Sequence, residues 1–414
     1  MATLKPFRAL RPNPAQAAGI CTLPYDVMST EEARAMAQDK PLSFLRVTRP
    51  ELEMGDDADP HSPEVYQRGA ENLRALIEHG ALVREEQPIY ILYRLVMGEH
   101  TQLGIMALAS CAEYDAGLVK KHELTRPDKE DDRTTHIKIL GAQTGLVFLT
   151  YAARPEIDAL LEAECERDPD IDLTAEDGIR HSAWFVRDAA ALAAIENAFA
   201  KVPALYVADG HHRSAAASRV ARERAEANPN HRGDEPYNFF ITVTFPHDQV
   251  QILAYNRVVK DLNGLTPEAF LAKLAEVADL DPVGPVPTLK SKGELAIFIQ
   301  GQWRRLRWKP SVLAAAKGAV EALDVSLLQD NVLAPLLAIG DPRTDKRISF
   351  IGGIRGTDEL QRLVESGEYA VAFAMYPTAL EDLMTIADEG GLMPPKSTWF
   401  EPKLRDAMAV HLID

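Results

Sequence analysis

Ala204-Leu-Tyr-Val-Ala-Asp-Gly-His-His-Arg-Ser-Ala-Ala-Ala-Ser-Arg219 carries the chain from one kind of backbone into another. The short apolar run Leu205 to Ala208 reads as a buried strand, and the alanine-rich run after Arg213 reads as a helix. Between them lie Asp209, Gly210, His211, His212 and Arg213, a charged corner where a strand hands over to a helix N-terminus. Unsatisfied backbone N–H groups and the helix dipole make such a corner an anion site, for phosphate above all. Arg213 adds a planar donor fork, and Asp209 a carboxylate that suits Mg2+ or a proton. A plainer alternative makes Asp209 an N-cap and pairs Arg213 with a nearby acid. Glycine and two histidines waste helix propensity in a first turn, and protonated histidine is repelled by the positive helix end. Local preferences are broken at functional sites, so the corner reads as phosphate-handling.

A second constellation is Lys120-Lys-His-Glu-Leu-Thr-Arg-Pro-Asp-Lys-Glu-Asp-Asp-Arg133, followed by His136 and Lys138. A charge run is commonly a solvated face. Here both signs are interleaved, which suits basic groups on phosphate oxygens and carboxylates on a cation. His122, Glu123, Arg126 and Arg133 are its candidate residues. Weaker segments are Pro24-Tyr-Asp-Val-Met28, readable as a turn with no function, Tyr255-Asn-Arg257, whose Asn256 and Arg257 either face a ligand or satisfy backbone, and Pro394-Pro-Lys-Ser-Thr-Trp-Phe-Glu-Pro-Lys403. The last offers Lys396, Ser397, Thr398 and Lys403, and its Trp-Phe pair suits a packed loop or lid.

Further elements follow from pattern. Ser29-Thr-Glu-Glu32 opens a helix as a capping box, and 63–80 is helical, with Pro63 in a first turn. Residues 88–97 and 102–112 pair across Gly98-Glu-His-Thr, Leu146–Tyr151 is a buried strand, and 163–178 is an acidic surface excursion. A hairpin is expected from 237–245 and 250–255, then a helix at 266–278 and a Pro/Gly-rich connection at 281–287. Strands at 294–300, 303–308, 347–352 and 369–375 surround a helical run at 311–337. Without strict βαβ alternation the class is α+β. Residues 1–262 form a phosphate-binding domain, and 263–414 a smaller α+β domain with a lid-like 393–403 segment.

At 414 residues the chain suits two or three domains, and 46% hydrophobic content supplies a core. A net charge of −17, from 45 basic against 62 acidic residues, argues against nucleic acid as a partner. Cys21, Cys111 and Cys165 form no CxxC pair and read as free thiols of a reducing compartment. No run reaches membrane-spanning length, and the N-terminus lacks a signal-peptide core, so a cytoplasmic protein is expected with no membrane partner. A homo-oligomer is compatible with the chain. GxxxxGKS/T, HEXXH and GxSxG are absent, which removes three common chemistries.

Residues 205–217 resemble the ParB/sulfiredoxin superfamily, in which a strand, a glycine–basic turn and a helix bind nucleotide phosphates. The leading Asp209 is most similar to the free-serine kinases of that superfamily. Over its whole length, the chain resembles a bacterial and archaeal family catalogued as a domain of unknown function, number 1015. The marks are PYDV at 24–27, KHELT at 121–125, DGHHR at 209–213, YNR at 255–257 and PPKSTWFEPK at 394–403. The superfamily resemblance implies that Gly210, His211, His212, Arg213 and Ser214 bind phosphate and that Asp209 holds metal or acts as base. The kinases also use an N-terminal glutamate, for which Glu31, Glu32 and Glu51 are candidates. The expected activity is transfer of phosphate from ATP, another nucleotide or pyrophosphate, with Mg2+, to a small hydroxyl substrate such as serine. Asp209, His212 and Glu123 are the expected catalytic residues, and Arg126 and Arg133 steady the transferring group. A ParB-like nucleotide switch is the alternative, but residues 262–414 offer strands where its helix-turn-helix module needs helices. Sulfiredoxin-like reduction lacks the cysteine it needs in the turn.

Overall fold

The computed structural model describes residues 2–55 and 58–414. The chain divides into two compact units, one of residues 1–250 with 402–414 and one of residues 251–401. The division therefore falls before Tyr255–Val259 rather than after residue 262. That strand is internal to the second unit's sheet, paired on one side with Val371–Ala374 and on the other with Ile348–Gly352. The C-terminal residues return to the first unit, where His411–Leu412 pairs with Ala142–Gln143.

The first unit is built on a nine-stranded mixed sheet. From one edge its order is Val119–Lys120, Leu205–Asp209, Val147–Tyr151, Phe239–Pro246, His100–Ser110, Tyr90–Met97, Arg180–Val186 and Ile171–Thr174. Leu4–Lys5 adds to the far end of His100–Ser110. Val147–Tyr151 and Phe239–Pro246 are mostly apolar and wholly buried, as central strands should be, with the Thr150 and Thr242 hydroxyls donating to the Phe245 and Val147 carbonyls. Ser29 and Glu32 form the expected capping box, each accepting the other's N–H. The helix Pro63–Glu78 is capped by Ser62.

Three expectations change. Residues 237–255 are not a hairpin: both edges of Phe239–Pro246 are already taken, and Gln251–Leu253 pairs with Trp399–Glu401. The charged stretch after Lys120 is largely a helix, Pro127–Leu140, which Pro127 can open because its missing N–H is not needed there. The 311–337 run is split among Pro310–Ala315, Asp324–Leu328 and a π-turn at Gln329–Leu333.

In the second unit six antiparallel strands run in the order Ala278–Leu280, Gln302–Trp308, Glu294–Ile299, Val371–Ala374, Tyr255–Val259 and Ile348–Gly352. The result is α+β in both units. Among the described residues no helix is long and apolar enough to cross a membrane, and Cys21, Cys111 and Cys165 are free thiols.

The first unit buries three neutral histidines outside the KHELT and DGHHR motifs, His136, His181 and His411. Tyr93 Oη lies 2.6 Å from Nδ1 of His181, and Nε2 of His411 lies 2.9 Å from the Pro236 carbonyl. His136 packs its ring beside Tyr66. Burial pushes His136 and His181 down to about 3 and His411 to about 4, from an ordinary 6.5. Between pH 6.5 and about 4 these three rings thus take up protons in the unfolded chain that they refuse in the folded one. Their contribution to stability is complete above pH 6.5 and is lost as pH falls, by about 1.4 kcal/mol per unit for each group. Asp406, which burial raises to about 7, works in the opposite sense with one proton. A urea midpoint clearly lower at pH 5 than at pH 7 is expected. Equal midpoints would contradict neutral burial of these rings.

Candidate active site at the Asp209 corner

The strand Leu205–Asp209 ends in a register shift between Val207 and Asp209 against Val147–Tyr151. Such a bulge re-aims the strand, and Asp209 is half-buried where Leu205–Ala208 are buried. Gly210 follows at φ +96°, a left-handed conformation that glycine adopts without strain. Its N–H donates to Asp209 Oδ1 at 2.8 Å, while its carbonyl accepts from the N–H groups of Arg213 and Ser214. The 17-residue helix His211–Ala227 therefore starts with no side-chain cap. Asp209 is not the N-cap; it precedes the helix with its carboxylate turned onto Gly210. Gly210→Ala is expected to cost about 1–2 kcal/mol, because alanine is strained at this φ. The added Cβ would make only ordinary contact with Val147 Cα at 3.4 Å, so the cost is conformational. Thermal unfolding checks this, and an unchanged midpoint would refute it.

Asp209 is electrostatically busy. Burial raises its carboxyl, but the charges of Lys403 and Arg213 outweigh that and hold it below the usual carboxylate range. Lys403 Nζ lies 3.8 Å from Asp209 Oδ2. A single carboxylate with an ammonium against one oxygen and an N–H on the other is a poor cation holder by itself. The expected Mg2+ role of Asp209 is therefore not supported by its surroundings.

Arg213 differs from expectation most. Its guanidinium is buried, donating from Nη1 to the Leu146 carbonyl at 2.7 Å and from Nη2 to Asp26 at 2.9 and 3.1 Å. Gly145 lets the arginine stem pass, since a Cβ there would sit 3.2 Å from Arg213 Cδ. The fork holds the Tyr25–Asp26 segment instead of waiting for phosphate. Arg133 is likewise spent on Asp132, with Nε at 2.9 Å, and lies 4.0 Å over the Tyr25 ring. Ser214 is buried and its hydroxyl donates to the His211 carbonyl at 3.1 Å, so it serves the helix and not a ligand. Arg126 is exposed and clamps Asp128, while its N–H donates to His212 Nε2 at 3.1 Å. That bond puts the His212 ring proton on Nδ1, and burial lowers this half-buried histidine below its ordinary value.

His122 and His211 meet edge-to-face, with ring centroids 4.4 Å apart. Burial holds His122 at about 4 and His211 well below 6.5, so both rings are neutral. Neutral rings lack the charge expected of phosphate ligands. Glu123 Oε2 lies 3.9 Å from His211 Nδ1.

Asn256, Arg257 and Lys396 belong to the second unit and are used inside it. Asn256 Oδ1 accepts the Met375 N–H at 3.0 Å. Arg257 donates to the carbonyls of Tyr255 and Lys396. Lys396 lies 5.5 Å over the Tyr255 ring. The expected lid is tied down, with Trp399–Glu401 paired to Gln251–Leu253 and Ser397 donating to the Pro394 carbonyl.

The corner thus gathers PYDV, KHELT, DGHHR and the C-terminal Lys403 and Asp406 in one unit. Lys403 was offered by the 394–403 segment without a role, and Asp26 and Asp406 were not among the chosen site residues. Asp26 lies in the PYDV motif already singled out; Asp406, buried beside Arg213, left no local signal.

A family model described as "Protein of unknown function (DUF1015)" matches residues 4–326. No curated protein matches the chain. Among solved structures, a free serine kinase variant in complex with AMP is 13% identical, with a TM-score of 0.35, over 72% of this chain and 87% of that one. A conserved hypothetical protein from Pyrococcus furiosus is 13% identical, with a TM-score of 0.35, over 75% and 95%. SbnI with C-terminal truncation from Staphylococcus aureus is 10% identical, with a TM-score of 0.38, over 74% and 87%.

Proposed function

We propose that this chain, which belongs to the DUF1015 family, moves a phosphoryl group from a nucleotide or pyrophosphate to the hydroxyl of a small metabolite such as serine. The carrying observation is the half-buried Asp209 carboxylate, kept ionised beside Lys403 at the uncapped start of a 17-residue helix. The resemblance of residues 205–217 to free-serine kinases supports the same reading.

The donor phosphate sits against the first-turn N–H groups of His211 and His212. There the helix end contributes about 0.3–1 kcal/mol toward an anion, and Lys403 supplies a full charge. Asp209 accepts a hydrogen bond from the acceptor hydroxyl. As the hydroxyl oxygen bonds to phosphorus, the bond from phosphorus to the leaving phosphate oxygen breaks, and the hydroxyl proton passes to Asp209. A carboxylate held below its usual range is a weak base. It suits a loose transition state in which orientation matters first and proton transfer comes late. His212 offers Nδ1–H as a neutral donor and, through Nε2, fixes Arg126. Mg2+, bound to the donor phosphates, would neutralise their charge there.

A thermal-shift screen with ATP, ADP, CTP, GTP and pyrophosphate in Mg2+ tests the donor half. Mass detection of phosphorylated products from a hydroxyl-compound set tests the acceptor half. A donor-dependent rise in melting temperature and one new phosphorylated product are expected. No shift with any donor at millimolar concentration, together with no product, would remove the proposal.

A further inference from the structure

We infer that His122, Glu123 and His211 form a site for a first-row divalent transition metal ion, Zn2+, Mn2+, Fe2+ or Co2+. One ligating atom from each of the three lies within 4.8 Å of the others. Two elements bring them together: His122 and Glu123 follow the edge strand Val119–Lys120, and His211 opens the helix after the neighbouring strand Leu205–Asp209.

The second observation concerns the imidazoles. His122 is 2% and His211 4% exposed, and neither His122 Nδ1 nor His211 Nε2 has a hydrogen-bond partner among the described residues. Leaving a buried polar atom without a partner is unfavourable, because it has given up water and gained nothing in return. Each ring thus has a nitrogen without a partner, and Glu123 Oε2 stands 3.9 Å from the other His211 nitrogen, Nδ1. His122 also makes a backbone hydrogen bond to Val207. A ring nitrogen anchored on a carbonyl fixes the tautomer and leaves the other nitrogen as a lone-pair donor, the usual support of a metal-bound histidine.

The donor set chooses the ion. Two imidazole nitrogens and one carboxylate oxygen suit borderline transition metals, whereas Mg2+ and Ca2+ take oxygen donors. Donors at about 2 Å from one tetrahedral ion lie roughly 3.3 Å apart, so the trio must contract on binding. Glu123, half-buried on its loop, is the member positioned to swing inward. Three protein ligands leave a coordination position for water or a substrate oxygen.

The inference does not rest on phosphoryl transfer, and its test reads metal rather than turnover. The full chain, free of affinity tags and stripped with a chelator, is titrated with Co2+ alone and followed by visible d–d absorption, with Zn2+ as displacing ion. One equivalent of Co2+ with a ligand-field spectrum is expected, lost on adding Zn2+. Glu123→Gln, at a half-buried position that leaves the fold intact, and His122→Ala should each weaken binding by more than about tenfold, the scale of losses from even outlying partners of a metal site. Asp209→Asn should titrate like wild type, and a loss there would move the ion to Asp209 and overturn the assignment. No spectrum at millimolar Co2+, or Glu123→Gln titrating as wild type does, would also overturn it.

Discussion

Asp26→Ala should lower the stability of the first unit by about 3 kcal/mol, roughly a hundredfold in its unfolding equilibrium. Arg213 is buried, and Asp26 is the carboxylate on its fork, reached by Nη2 at 2.9 and 3.1 Å. Removing that partner leaves a guanidinium charge supported by the Leu146 carbonyl and the more distant Asp209 and Asp406. Breaking a buried pair costs about 3–5 kcal/mol, and the low end applies because the Asp26 side chain keeps 42% of its exposure. Asp406 cushions the loss. Burial, followed by the charge of Asp26, raises it to about 7, so deleting Asp26 lets Asp406 ionise more fully beside Arg213. Arg213→Met in the Asp26→Ala background should recover part of the loss, since an apolar side chain of similar length leaves no buried charge. Urea unfolding at pH 7 measures all three variants. A wild-type midpoint for Asp26→Ala would return Arg213 to the ligand role first expected of it.

The strand–helix corner was legible because both its halves obey local rules: an apolar run before Asp209 and alanines after Ser214. The fate of Arg213 was not, since Asp26 lies 187 positions away and sequence order does not reveal that pairing. The same holds for Arg133, whose neighbour Asp132 is adjacent but whose stacking partner Tyr25 comes from the N-terminal segment. The 237–255 hairpin failed for a related reason. Two apolar runs across Pro246-His-Asp look like partners until a central strand finds both its edges occupied by distant segments. KHELT was chosen for phosphate chemistry on its charges, yet burial strips His122 of charge and leaves its ring as a neutral donor. Asn256 and Arg257 were picked as an amide and a guanidinium at a strand end; their burial comes from the second unit's sheet, which no pattern within YNR announces.

Asp209→Asn is expected to reduce phosphoryl transfer by about 10²–10⁴-fold while donor affinity stays within a few-fold of wild type. The amide keeps the size of the side chain and can still accept from the Gly210 N–H. In the proposed mechanism it loses the charge that orients and finally deprotonates the acceptor hydroxyl. The proposed donor site, the helix start with Lys403, is left in place by the substitution. Its loss should therefore appear in kcat and not in donor binding, the signature of a group acting in the transition state.

The most direct measurement follows phosphorylated product by mass in parallel reactions of wild type and Asp209→Asn, with donor binding measured by calorimetry on the same preparations. Product from wild type alone, with donor bound equally by both proteins, is the predicted result. Equal product from both would contradict the assignment of phosphoryl transfer to the Asp209 corner.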